Sequence, residues 1–328
     1  FTGYPLNKLR SSDYTMIIKL LKNRSDIGAG TRGSDMGIDA LEIAAINAEN
    51  DFFHRHLFVD VQTHNETIYN KNNNNFAKRI EHVVEQCQRV SDVVSSTINT
   101  GFFPIVLSGD HSSALGTISG IKAASPNKKL GVIWIDAHAD LHSPFTSPSG
   151  NIHGMPLAAA LQEDNLACKV NEPSATTLLH WNNLKNIGTP DKKLLPQDLI
   201  YFGLRDFESA EAHIIEKEEV SCYKVEELRF RGLELCVKEA IEQLQDCDHI
   251  YISFDVDSMD CDHVSTGTGT PVPIGFFAEE IIAIFDQLFL SKKLVCIEFT
   301  EVNPLLDNKG NLMAETAFMV LDHVAKKI

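Results

Sequence analysis

The sequence has no Cys-x-x-Cys pair. Its seven cysteines, Cys87, Cys168, Cys222, Cys236, Cys247, Cys261 and Cys296, are scattered along 328 residues. An odd, dispersed set predicts reduced and mostly buried thiols in a reducing compartment, hence a cytoplasmic protein. No apolar run approaches the roughly 20 residues needed to cross a bilayer. No secretory signal opens the chain, so Asn23-Arg24-Ser25 and Asn65-Glu66-Thr67 match glycosylation acceptors only by chance. The first residue is Phe1 rather than Met, which leaves room for a missing residue or leader before it. Cations are scarce: 29 basic residues face 45 acidic ones, a net charge of -16. That balance speaks against nucleic acid and membranes as partners and mildly favours a small cationic substrate. An ordinary acidic cytosolic surface explains it equally well. No linker or internal repeat divides the chain, so residues 1–328 are expected to form one domain.

What is present is an alternation. Leu57–Val61, Phe103–Leu107, Gly131–Ile135, Leu199–Phe202, His249–Phe254 and Leu294–Phe299 are short runs rich in Val, Ile and Phe and read as strands. Between them lie helical patterns: Phe76–Ile98, Ser112–Ala124, a helix from about Ser209, Leu233–Leu244, Phe277–Leu288 and Glu315–Ala325. This predicts an α/β fold with a mostly parallel sheet covered on both faces. Lys71–Asn75 reads as a polar surface loop. Asn171–Gln197, with Pro173, Pro190 and Pro196, reads as an irregular surface excursion.

Gly28-Ala29-Gly30-Thr31-Arg32-Gly33 fits the dinucleotide pattern G-x-G-x-x-G. That pattern needs a strand directly before it and an acid-tipped strand after the following helix. Lys22–Asp26 intervenes before it, and Met36–Ala48 leads to no clear acidic strand end. A glycine loop entering a helix, with Ser34 or Asp35 as N-cap, is the better reading.

The residues that carry chemistry lie elsewhere. Gly109-Asp110-His111-Ser112, Asp136-Ala137-His138-Ala139-Asp140 and Asp255-Val256-Asp257 each follow an apolar, strand-forming run. In a parallel α/β sheet, ligands bind outside the carboxyl ends of the strands. Steps of two put Asp136, His138 and Asp140 on one side of an extended chain, and Asp255 and Asp257 likewise. Asp110 or Ser112 also fits a helix cap. Four carboxylates gathered without cations would repel and raise one another's pKa values. Two divalent ions resolve this: four negative charges, four positive charges and one bridging hydroxide leave a net charge of -1, suited to a cationic electrophile. Carboxylates with two imidazoles and no thiolate favour Mn²⁺ over Zn²⁺. Paired ions also make hydroxide available near neutral pH, which predicts a hydrolase.

At these segments the chain resembles the ureohydrolase family, which includes arginase, agmatinase and formimidoylglutamase. The resemblance runs from Gly28 to Glu301-Val302-Asn303-Pro304. Within the family, Ser147-Pro148-Ser149-Gly150-Asn151-Ile152-His153-Gly154 looks like arginase, as does Glu301–Pro304. The resemblance implies a three-layer αβα sandwich around a mostly parallel eight-stranded sheet. It implies two Mn²⁺ per chain, with Co, Ni, Fe or Zn as possible substitutes, and a homo-oligomer, trimer or hexamer. One ion would be held by His111, Asp136, Asp140 and Asp255, and the other by Asp136, His138, Asp255 and Asp257. His153 would shuttle protons, and Glu301 would grip a guanidinium. Ser149 and Asn151 would bind the amino-acid end of the substrate, Glu208 and Glu211 its ammonium side, and Thr270 the pocket wall.

The implied reaction is hydrolysis of L-arginine to L-ornithine and urea. A metal-bridging hydroxide, oriented by Asp140, would attack the guanidinium carbon. Three departures bear on substrate recognition. His142 stands where many arginases carry an asparagine that touches the substrate carboxylate. Glu208 is one methylene longer than the usual aspartate. Cys261 replaces a proline, and the loop to Thr270 is one residue longer. They keep open a sibling hydrolase acting on agmatine or another guanidino or formimino compound. A silent metal-binding scaffold is a third reading, although every expected ligand is present.

Overall fold

The computed structural model describes residues 16–71 and 74–328. The start of the chain, where a secretory signal was judged absent, and Asn72 and Asn73 of the expected polar loop lie outside these residues.

Eight strands form one sheet: β1 (Ile18–Asn23), β2 (Leu57–Asp60), β3 (Phe103–Ser108), β4 (Leu130–Ile135), β5 (Leu199–Phe202), β6 (Ser221–Tyr223), β7 (His249–Asp255) and β8 (Leu294–Thr300). Their order is β2-β1-β3-β8-β7-β4-β5-β6. Every pairing between them is parallel.

Strand alternation divides the core into two layers. On β4, Ile133 and Ile135 pack into one cluster with the helices Gly37–Asn47, Leu233–Gln243, Ala278–Leu288 and Leu312–Ala325. Val132 and Trp134 face the other way, against the helices Ile80–Asn99, Ala114–Ala124, Pro156–Leu161 and Ala175–Lys185. The arrangement is the expected three-layer sandwich, and the central strands are buried on both faces, as their unbroken apolar runs require.

Local expectations needed correction: β1 and β6 are not among the runs that read as strands. The helix expected from Phe76 starts at Ile80, because Arg79 adopts a left-handed conformation (φ 55°) that ends the preceding turn. The expected irregular excursion contains the helix Ala175–Lys185, capped by the Ser174 hydroxyl, which accepts from the Thr177 amide, and anchored by buried Trp181 and Leu184. Neither Ser34 nor Asp35 is an N-cap: both lie inside a short 3-10 turn preceded by Gly33 at φ 124°.

The order of the strands positions the site. β3, β8, β7, β4 and β5 are consecutive neighbours, although they lie far apart in sequence. Ile135 pairs with Phe254, and Asp255 pairs with Thr300. The residues just past these strands therefore meet along one edge.

Candidate metal centre

Every site residue singled out from the sequence lines a single cavity of about 220 Å³ at that edge. His111 follows β3, Asp136 to Asp140 follow β4, Glu208 and Glu211 come after β5, Asp255 ends β7, Asp257 sits in the 3-10 turn Val256–Ser258 that follows rather than on the expected extended chain, and Glu301 follows β8. Two of these residues have a left-handed backbone, Asp140 (φ 53°) and Glu301 (φ 67°). Such conformations cost about 1–3 kcal/mol each and persist where the surroundings over-determine them, commonly at active sites.

Two groups of ligand atoms emerge. His111 Nδ1 lies 3.0 Å from Asp136 Oδ2, 3.1 Å from Asp140 Oδ2 and 3.1 Å from Asp255 Oδ2. His138 Nδ1 lies 2.9 Å from Asp257 Oδ2 and 3.5 Å from Asp136 Oδ1. Asp136 thus offers one oxygen to each group, which suits a bridging ligand. The donor set fits a pair of cations on an observation of its own. His111 Nδ1 and Asp136 Oδ2 are buried and, although 3.0 Å apart, neither makes a well-directed hydrogen bond. An unsatisfied buried polar atom is costly, and an ionised one more so. The groups His111, Asp136, Asp255 and Asp136, His138, Asp257 each gather their ligand atoms closely enough to hold an ion.

The electrostatics agree. Burial, then Asp257 and Asp136, push the Asp255 carboxyl well above the usual range. Burial and Asp136 push Asp257 up to about 6. For Asp136 burial also pushes upward, but the two imidazoles outweigh it and hold the group far below the ordinary carboxylate value. The two imidazoles supply positive charge to these carboxylates. His111 and His138 are accordingly raised well above their usual value despite burial.

Supporting contacts that the sequence did not disclose fix these ligands. His111 Nε2 is 2.7 Å from Ser253 Oγ, and its ring stacks on Trp134 at 4.1 Å with an interplanar angle of 5°. Such a bond orients the ring and holds its other nitrogen toward the ion. Asp110 is a cap, not a ligand: its oxygens accept from the amides of Ser112 and Gly28. A side chain on Gly28 would collide with Ser112, so that glycine lets its loop sit against the metal segment. Arg205 donates to six carbonyls, of Gly203, Asp257, Ser258, Met259, Val272 and Pro273, binding the turn after β7 to the segment after Thr270. Thr270 Oγ1 in turn donates to Asp257 Oδ2 at 3.3 Å.

The rest of the cavity is organised by ion pairs. His153 Nδ1 lies 3.0 Å from Glu301 Oε1, which also accepts from the His111 amide at 2.9 Å. Burial alone would lower the His153 pKa; the Glu301 carboxylate more than offsets it and raises it to about 9. Only Oε2 of Glu301 is left to grip a guanidinium. His142 Nε2 contacts Glu208 Oε2 at 2.9 Å. That contact holds the Glu208 carboxyl down at about 2. Glu211 is less available to a substrate than expected. Its oxygens accept from the amides of Leu141 and Glu208, and burial raises its pKa to about 8.

Asn23, whose match to a glycosylation acceptor is read as chance, is fully buried. The glycine loop packs against this site, with His153 N donating to Gly28 O; contrary to the expectation of no acidic strand end after the helix, Asp60 does tip β2, where it pairs with Arg24.

Residues 20–326 match the Arginase family model. The chain belongs to the arginase family. It is 35% identical to an arginase of Brevibacillus brevis over 306 residues, covering 91% of this chain and 94% of that one. The structure superimposes on the arginase of Bacillus caldovelox with a TM-score of 0.80 at 30% identity, covering 94% of this chain and 98% of that one. It also superimposes on a formimidoylglutamase of Bacillus subtilis, TM-score 0.72 and 19% identity, covering 97% and 88% of the two chains. The ureohydrolase fold and hydrolase class follow from family membership, but the fold is shared by enzymes with different substrates, so substrate must be argued from the site. No helix among the described residues is long and apolar enough to cross a membrane.

Proposed function

We propose that this protein hydrolyses L-arginine to L-ornithine and urea with two Mn²⁺ ions bound. The observation that carries the reading is the layout of one cavity. Two ligand groups lie at its floor, and the Ser149–His153 turn and the His142–Glu208 pair lie at its rim. A substrate spanning floor and rim needs a reactive cation at one end and an amino-acid group at the other.

His111, Asp136, Asp140 and Asp255 would hold one ion, and Asp136, His138, Asp255 and Asp257 the other. Such a pair lowers the pKa of water and supplies a nucleophile near neutral pH. The remaining work falls to the chain. The acidic floor attracts the guanidinium. Glu301, through Oε2, steadies it while Oε1 keeps His153 charged. Breaking the bond from carbon to the δ-nitrogen leaves an amine that must gain a proton. His153 carries one up to about pH 9, with Nδ1 tied to Glu301 and Nε2 left for exchange. Ser149 and Asn151 offer hydroxyl and amide donors to the carboxylate end, and Glu208 offers a carboxylate to the ammonium.

The test is urea release from L-arginine by purified, Mn²⁺-loaded protein. No urea at any point of an alkaline pH series would sink the reading. A second reading, agmatine or a related compound, is favoured by one contact: Glu208 already holds His142, which leaves less of it for a substrate ammonium. A substrate panel in which agmatine clearly outperforms arginine would establish that alternative.

A further inference from the structure

The cavity has a charge problem at its rim. Of the eight Asp and Glu residues lining it, Asp136, Asp140, Asp255 and Asp257 would be balanced by the two ions and Glu301 pairs with His153; Asp206, Glu208 and Glu211 remain toward the rim, and no Lys or Arg lines the cavity. Such a site welcomes a guanidinium and repels a carboxylate. His142, the titratable group at the rim, spends its charge on Glu208. An amino-acid substrate therefore needs a further cation beside Ser149 and Asn151.

Lys78 stands there. Its Nζ donates to Asn151 Oδ1 at 3.1 Å, and its backbone amide donates to Gly150 O at 2.7 Å. The half-buried side chain has no carboxylate partner among the described residues, in a chain where acids outnumber bases 45 to 29. The neighbouring backbone fixes the turn from the same side. Gly150 has φ 72°, and a side chain there would collide with the Asn75 carbonyl. Residues 75–78 thus grip the turn that carries Ser149 and Asn151, and Lys78 adds a positive charge next to it.

We infer that Lys78 is a specificity-determining residue, supplying the charge that receives a substrate carboxylate at Asn151 and so favouring an α-amino acid over its decarboxylated amine. The inference rests on the proposed amino-acid substrate. Lys78 does not itself line the cavity; its charge acts on the carboxylate from behind the Asn151 amide it holds, and that attraction is lost when the ligand lacks the carboxylate.

The test compares Lys78→Gln, which keeps a donor for Asn151 but no charge, with Lys78→Arg, which keeps the charge. Lys78→Met is a second neutral variant, and thermal melting verifies the fold of all three. In Mn²⁺-loaded protein, Lys78→Gln should raise the KM for arginine about 10- to 100-fold with kcat little changed, and lower the kcat/KM ratio of arginine over agmatine by the same factor. Lys78→Arg should keep most of that ratio. Calorimetry with L-ornithine and 1,4-diaminobutane, which differ only in the carboxylate, reads the same preference without turnover.

An unchanged preference in Lys78→Gln overturns the inference. Parallel weakening of both ligands overturns it too, because Lys78 would then only hold the turn. If the wild type releases no urea from arginine, the proposed function fails, while the two binding affinities still decide the role of Lys78.

Discussion

The two ends of the cavity are built differently. The floor is made of residues that end or directly follow the central strands, and Asp136, Asp255 and Asp257 are at most 2% exposed. Their backbones continue a hydrogen-bonded sheet, and their partners are one another. The rim comes from longer connections after β4 and β5. There Ser149 is exposed and the Glu208 side chain is 59% exposed. A side chain at a strand end is placed by the whole sheet; one on a loop is placed by a few local bonds. On the proposed function, the floor would set the reaction and the rim the choice of substrate.

Asp255→Asn is the largest challenge to that division. With the ions bound, removing one of their carboxylate partners from this buried cluster costs about 3–5 kcal/mol. Urea production should fall by about 1,000-fold or more, with bound metal falling below two ions per chain by elemental analysis. The metal-free variant should melt at a higher temperature than metal-free wild type, because it relieves repulsion among buried carboxylates. If it melts lower, the protein alone balances those charges and the floor is not built around cations.

Glu301→Gln comes next, at the boundary between floor and rim. It removes the charge that keeps His153 protonated, and kcat should fall by about 100-fold, within the range of general acid–base catalysis. Its pH signature follows from the sign of the shift. His153 has a pKa of about 9 in the fold against an ordinary 6.5, so its pairing stabilises the protein fully below about 6.5 and fades as pH rises through 9. The melting temperature of the wild type should drop across that window more steeply than that of Glu301→Gln. Equal slopes would mean that Glu301 does not hold the histidine.

The same contrast explains what the sequence disclosed. The metal ligands were legible because each group is local: a strand-forming run followed by acids and imidazoles at steps of two. Which strands lie side by side was not legible from that spacing, since β3 and β8 are almost 200 residues apart and neighbours all the same. Arg205, Ser253 and Lys78 went unnoticed because their partners are remote in sequence and nothing near them marks the contact. The helix Ala175–Lys185 was missed for a different reason. Thr177, Trp181 and Leu184 keep helical spacing, but Pro173, Pro190 and Pro196 lie outside the helix, so proline density marked its surroundings and hid its interior. Glu301 was recognised as a site carboxylate, but its bond to His153 depends on two left-handed or irregular segments meeting, which no local pattern encodes.

The smallest effect belongs to the rim. His142→Asn frees Glu208 from its 2.9 Å partner and leaves an amide in the imidazole's place. The pair is largely exposed on the Glu208 side, and such pairs contribute about 0–1 kcal/mol. Releasing the carboxylate to meet a substrate ammonium should therefore lower the KM for arginine by no more than about fivefold. The metal content and kcat should stay near wild type, since His142 and Glu208 gather with Glu211, apart from the two groups at the floor. Agmatine has no α-ammonium, so its KM should move less than that of arginine. A rise in the arginine KM instead would assign His142 a direct contact with the substrate and make the histidine part of recognition. A large fall in kcat would break the division between floor and rim, because a single loop substitution would then have disturbed the ligands that the sheet is meant to hold.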